Sequence, residues 1–237
     1  MDNTVATAYL VKPLSLGADI VVNSTSKYIN ANSSAISGVI TDGGKFKWDT
    51  EKYPGMKDFK KFGPFAYTAK LRNGLFRNTG ACLSPQNAFY NSIGMETLGL
   101  RMERVCDNAK TLAQFFATEY SDIEVNYPGL AGSKWHNIAT EQFGDKFGGI
   151  ITIRTGNKKR AFGIIDALKL PLIVSNIGDT KTLVIHPEST LNVHSTQEEK
   201  ETAGVFDDLI RISVGIEDIE DLIDDFKQAI ESVKDVY

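Results

Sequence analysis

A change of period near the C-terminal end constrains the fold more than any other feature. In Ile210-Arg211-Ile212-Ser213-Val214 apolar and polar residues alternate, the pattern of a strand with one buried face. A few residues later the spacing becomes helical. Ile219, Leu222, Ile223, Phe226, Ile230 and Val233 define the buried side of a helix expected from about 216 to 235. Glu217, Asp218, Glu220 and Asp221 gather where its dipole is positive. Such a strand and helix must bury their apolar faces against further layers, and the same alternation recurs upstream. Strands are expected at 123–127, 148–154, 171–175 and 182–185, with a helix at 158–168 and a capping-box pair, Thr196 and Glu199, opening another. The predicted fold class is α/β.

Ser84-Pro85 is a helix start, with serine as cap and proline in the first turn. Phe89, Ile93, Met102, Val105, Leu112 and Phe116 continue on a helical period, so a long helix over 84–119 is expected, bent near Gly94 and Gly99. It would link two domains, residues 1–100 and 101–237. The first begins as strand and loop, with β-rich pieces at 18–22 and 34–42. From Lys45 to Pro64, Gly, Pro, aromatic and charged residues mix without a period, which reads as a long ordered loop.

With 237 residues and 42% hydrophobic content the chain can bury a sizeable core, and a net charge of −4 gives no electrostatic support for nucleic acid or an anionic membrane. No apolar run approaches the roughly 18 residues of a membrane span, and the start has no signal-peptide pattern. Together with two cysteines outside any metal or redox spacing, Cys82 and Cys106, this predicts a cytoplasmic protein with free thiols. There is no G-x-G-x-x-G. The glycine-rich run from Gly38 fails as a phosphate loop because Gly44 and Phe46 stand where lysine and a hydroxyl residue are required. His136, His186 and His194 have no metal-ligand spacing, so no metal site is expected.

Chemistry concentrates in ADIVVNSTSKYIN, residues 18–30. An amine at a strand end beside hydroxyls has what a pyridoxal phosphate site requires: Lys27 for the aldehyde, and Ser24 and Ser26, on one face if the segment stays extended, for the phosphate. A solvated lysine in a serine-rich turn is the other reading of the same residues. Asp2 offers a carboxylate for the pyridine nitrogen, or is a solvated residue near a terminus. Arg211 offers a planar fork for a substrate carboxylate, or is an arginine at a sheet edge.

Taken together, DNTVATAYL, GADIVVNSTSKYI, SGVITDGGKFKW, GACLSPQNAF, ETLGLRMER, NYPGL, NIGDTKTLVIHPEST and DLIRISVGIEDIEDLIDDF, in this order, resemble the cystathionine γ-synthase-like family of pyridoxal-phosphate enzymes of cysteine and methionine metabolism. The resemblance implies the C-terminal part of a fold-type I transferase: part of the large mixed-sheet cofactor domain, then a small α/β domain. It implies pyridoxal 5′-phosphate as cofactor, Lys27 as its covalent lysine and proton carrier, Asp2 at the pyridine nitrogen, Ser24 and Ser26 at the phosphate, and Thr4 near the ring. Arg211, assisted by Asn176, would hold the substrate carboxylate. The GKFKW loop and GACLSPQNAF favour the O-acetylhomoserine sulfhydrylase branch, in which sulfide or a thiol replaces acetate. Cystathionine γ-synthase or methionine γ-lyase activity, or a non-catalytic remnant, are the alternatives. The implied partners are these small molecules and further copies of the chain, as a dimer or tetramer.

The family pattern at the lysine is His-Ser-Ala-Thr-Lys followed after two residues by Gly-Gly-His. Here it is Asn23-Ser24-Thr25-Ser26-Lys27 and then Asn30-Ala31-Asn32, so the loop is expected to take a different path. The resemblance begins just before the aspartate, so Asp2 is expected to be loosely held and the chain alone to bind cofactor weakly.

Overall fold

The computed structural model describes residues 1–233, which divide into one unit from Met1 to Glu96 and a second beginning at Thr97. In the first unit, α1 (Thr7–Leu10) precedes two strands, β1 (Ile20–Ser24) and β2 (Gly38–Asp42), which pair antiparallel with Ile20 opposite Asp42 and Ser24 opposite Gly38. The opposite edge of β1 is taken by the start of the chain, where Asp2 forms a parallel bridge with Val22.

The segment expected as a long ordered loop, 45–64, has no helix as far as Tyr53 and is helical from Pro54. Short 3-10 turns run over Pro54–Phe65, interrupted at Gly63, and lead into α2 (Ala66–Leu71), a π-helical turn (Arg72–Phe76) and α3 (Arg77–Thr79). No helical period announces these turns because an aromatic cluster, not an amphipathic face, organises them. Trp48 stacks on Tyr67 with planes 5° apart, and Phe46 and Tyr53 meet Trp48 edge-on.

At α4 (Pro85–Glu96) the hydroxyl of Ser84 accepts from the Asn87 N–H at 3.2 Å, the cap its sequence predicts. Thr97 then leaves helical geometry (φ −107°, ψ 3°), and α5 (Leu98–Glu119) starts anew. The expected continuous helix is therefore two helices, broken between the two glycines at which a bend was anticipated.

The second unit continues with β3 (Glu124–Asn126), α6 (His136–Phe143), β4 (Ile150–Arg154), α7 (Lys158–Ala167), β5 (Leu172–Ile173), β6 (Leu183–Ile185), α8 (Gln197–Thr202), β7 (Leu209–Ser213) and α9 (Ile219–Ser232). The strands form one sheet in the order β3-β4-β7-β6-β5, antiparallel except between β5 and β6. Its inner face, with Ile151, Ile153, Val184, Ile210 and Ile212, is buried in one core with Leu112 and Phe116 of α5, Ile164 of α7, and Leu222, Phe226 and Ile230 of α9. Asp218 caps α9, and positions 234 and 235 of the expected helix lie outside the described residues. The capping box of Thr196 and Glu199 is formed. No helix among the described residues is long and apolar enough to cross a membrane.

Glu188 joins α7 to α8 by accepting from Lys158 at 2.8 Å and Lys200 at 2.6 Å, and these bonds hold its carboxyl down to about 2 from the usual 4.5. A carboxyl whose folded value is depressed adds stability above the unfolded value and loses it as the pH falls through the folded one. Glu188→Gln is therefore expected to lower stability at neutral pH and to flatten the stability loss between pH 4.5 and about 2, read from urea unfolding at a series of pH values.

Candidate functional site

The residues of ADIVVNSTSKYIN come together with the start of the chain where β1 runs out. Met1 O accepts from the Val22 N–H at 2.9 Å and the Asn3 N–H donates to Val22 O at 2.8 Å, so the first residues run as a short extra strand. The Asn23 side chain donates to Asn3 O at 2.8 Å, and the Ser24 N–H donates to Thr4 Oγ1 at 2.8 Å. Asp2 is thus tied by its neighbours to β1, against the expectation that it be loosely held. Backbone pairing supplies the anchor that its position in the chain does not. Its carboxylate accepts from the Thr4 N–H at 2.8 Å, and the Thr4 side chain and backbone hold its pKa below the usual carboxylate value.

Ser24 and Ser26 do not share a strand face. β1 ends at Ser24, and residues 25–30 coil into successive turns in which the Asn30 N–H donates to Thr25 O at 2.9 Å and the Ala31 N–H to Lys27 O at 3.2 Å. Lys27 lies half-buried inside these turns. The Ser26 hydroxyl donates to Ser37 O at 3.1 Å and accepts from the Ser37 N–H at 2.8 Å, so it reaches a ligand only by giving up its donation to Ser37.

Helix α4 supports this turn at two places, Gly94, expected only as a bend in the helix, and Asn91, which no sequence pattern marked. Gly94 lies so close that a Cβ there would run into the Ile29 carbonyl, and the buried Asn91 side chain contacts Thr25, Asn30 and Ser37. An asparagine inside a helix carries no motif, so only the fold reveals it.

In the second unit, Arg211 sits at the centre of β7 with Thr152 of β4 and Ile185 of β6 as its register partners. Ile210 and Ile212 point into the core and Arg211 does not, as the alternation requires. Its guanidinium donates to Asn176 O at 3.1 Å. The loop carrying Asn176 is pinned by the Gly178 N–H on Ser213 Oγ at 2.9 Å and by Thr182, whose hydroxyl bonds Glu217 at 2.9 Å and the Gly215 N–H at 2.9 Å. Thr182, Ser213 and Glu217 were also missed, because their roles depend on loop closure.

A model of the PLP-dependent enzymes of Cys/Met metabolism matches residues 1–231. The chain belongs to this family. O-acetyl-L-homoserine sulfhydrylase of Corynebacterium glutamicum is 41% identical over 244 residues, taking in 96% of this chain and 55% of its own length. L-methionine gamma-lyase of Fusobacterium nucleatum subsp. polymorphum is 39% identical over 234 residues, with 98% and 54% covered. A solved structure of a putative O-acetylhomoserine (thiol)-lyase from Campylobacter jejuni, containing N′-pyridoxyl-lysine-5′-monophosphate, superposes with a TM-score of 0.90 at 35% identity, over 97% of this chain and 58% of that one. The chain spans just over half the length of these relatives.

The donor set of the first unit fits the family's cofactor. One strand end presents an amine, a carboxylate held in its anionic form and a serine hydroxyl, the groups that an aldehyde, a protonated pyridine and a phosphate call for. In the loop after the lysine one of the two residues that stand for glycines keeps a glycine-like conformation. Ala31 has φ 81°, a left-handed conformation that costs an L residue about 1–2 kcal/mol. Ala31→Gly is expected to relieve this strain, less the greater chain entropy of glycine. Stability should rise by about 0.5–1 kcal/mol, measured by urea unfolding.

Proposed function

We propose that the chain is the C-terminal part of an O-acetylhomoserine sulfhydrylase, with the first unit belonging to the cofactor domain and the second forming the small C-terminal domain. The observation that carries this reading is the bond from the Ser24 N–H to Thr4 Oγ1, which fixes the Asp2 segment to the strand leading to Lys27. The reaction is replacement of acetate by sulfide at Cγ of O-acetylhomoserine: the Cγ–O bond breaks, a Cγ–S bond forms, and acetate and homocysteine leave.

Pyridoxal phosphate, when bound, supplies an electron sink that stabilises negative charge next to the substrate amine. Lys27 would hold the cofactor aldehyde, and its free amine would move protons at the substrate carbons. Asp2, anionic beside Thr4, keeps the pyridine nitrogen protonated. Ser24 and, after release from Ser37, Ser26 bind the phosphate. In the second unit Arg211 binds the α-carboxylate through its planar fork, with Asn176 helping to fix the guanidinium. The same reading makes the complete protein a cytoplasmic homo-oligomer, a dimer or tetramer; the free thiols of Cys82 and Cys106 support the compartment.

The likeness to an L-methionine gamma-lyase supports γ-elimination as a second reading. Purified chain, supplied with a polypeptide equivalent to the remaining part of its relatives, is expected to convert O-acetylhomoserine and sulfide to homocysteine. Release of ammonia and a 2-oxo acid instead would establish elimination, and absence of both would sink the enzymatic reading. Lys27→Ala is expected to abolish the adduct with pyridoxal phosphate that borohydride reduction fixes, and to lower turnover by at least about 10²-fold. Arg211→Ala should act chiefly on KM, by about ten- to a hundredfold, the loss of a charged hydrogen-bonding partner worth about 1.5–3 kcal/mol.

A further inference from the structure

We infer that Asn91 is a positioning residue for Lys27: its buried amide grips the lysine turn from both sides and does the work that the family's pattern leaves to a glycine-rich loop. The inference rests on the reading of Lys27 as the cofactor lysine. Asn91 lies in the interior of α4, and its side-chain amide donates to Thr25 Oγ1 at 3.2 Å and to Ser37 Oγ at 2.9 Å. Its carbonyl oxygen accepts from Asn30 Nδ2 at 3.3 Å. Thr25 Oγ1 in turn donates to Ser37 Oγ at 2.6 Å, and Asn30 Oδ1 accepts from the Ser34 N–H at 2.7 Å. Thr25 stands two residues before Lys27 and Asn30 three after it, so one helix-borne group holds both ends of the turn.

Burial makes this grip consequential. Asn91, Thr25 and Asn30 are 8%, 5% and 3% exposed, and a buried amide or hydroxyl that loses its partner costs about 1–3 kcal/mol. Of the turn's own backbone bonds, that from the Lys27 N–H to Ser24 O is long, at 3.5 Å, while that from the Asn30 N–H to Thr25 O, at 2.9 Å, joins the two residues that Asn91 also holds. The grip also falls on positions where this chain departs from the family motif. Thr25 replaces an alanine, and Asn30 and Ala31 replace the two glycines. A left-handed alanine persists only where its surroundings over-determine it, and the bonds to Asn30 do so from the adjacent residue. Loss of glycine freedom and gain of a polar clamp are thus two sides of one change.

The test compares the full chain with Asn91→Leu, which removes the clamp at similar volume, and Asn91→Asp, which keeps the acceptor for Asn30. Far-ultraviolet dichroism and melting confirm that each variant is folded. Amide exchange followed by mass spectrometry reads the turn, and borohydride trapping with pyridoxal phosphate, mapped to peptides across a pH series, reads Lys27 against the exposed Lys47 and Lys60. In Asn91→Leu, exchange over 25–37 is expected to quicken at least tenfold with residues 97–233 unchanged. Trapping at Lys27 should fall severalfold, its pH profile converging on that of Lys47 and Lys60, and Asn91→Asp should recover part of both effects. Unchanged exchange over 25–37 in folded Asn91→Leu would overturn the clamp. Quickened exchange with an unaltered Lys27 profile would overturn its positioning role. A wild-type Lys27 that traps no better than Lys47 would instead overturn the cofactor-lysine reading, with the exchange result still judging the clamp.

Discussion

Once β1 ends at Ser24, the backbone loses its neighbouring strand, and the polar groups of the next residues must find partners or bear the cost of burial. The first unit meets that demand with backbone turns and with side chains. Ser26 takes both backbone groups of Ser37 and Asn30 takes the Ser34 N–H, Asn91 ties Thr25, Ser37 and Asn30 together, and Gly94 lets α4 approach closely enough for Asn91 to reach. Lys27 occupies the middle of this substitution. Its half-buried place thus follows from how a strand terminates, before any ligand is considered.

The two units use opposite strategies to hold the cations Lys27 and Arg211. Lys27 sits on turns, where local backbone bonds and separate side chains share the task and position is the sum of several constraints. Arg211 sits on the central strand of a five-stranded sheet, where the ladder to β4 and β6 fixes its backbone and the pleat alone sets its direction. A rigid element defines a site more sharply than a loop does. What the sheet leaves open is only the guanidinium end, and the carbonyl of Asn176 helps to fix that.

Much of the second unit was legible because period and packing coincide there. Ile210 and Ile212 against Arg211, or Leu222, Phe226 and Ile230 on α9, report their burial through spacing alone. Thr196 and Glu199 close their capping box because it depends on four consecutive residues. The first unit was less legible. Trp48 and Tyr67 lie far apart in sequence, so the aromatic stack that organises residues 46–79 leaves no periodic trace. Ser24 and Ser26 invited an extended reading that fails because the strand stops between them. Asn91, Ser37 and Glu217 act across 54, 54 and 35 residues of sequence separation, beyond the reach of local patterns.

The register of β7 carries a further consequence. Shifting the strand by one residue would exchange its two faces, driving the Arg211 guanidinium into the space now filled by Ile210 and Ile212. Burying an unpaired charge among aliphatic side chains costs far more than any ladder bond returns. The arginine thus acts as a proofreading element in folding: its charge penalises the misregistered sheet, and a neutral replacement would remove that penalty.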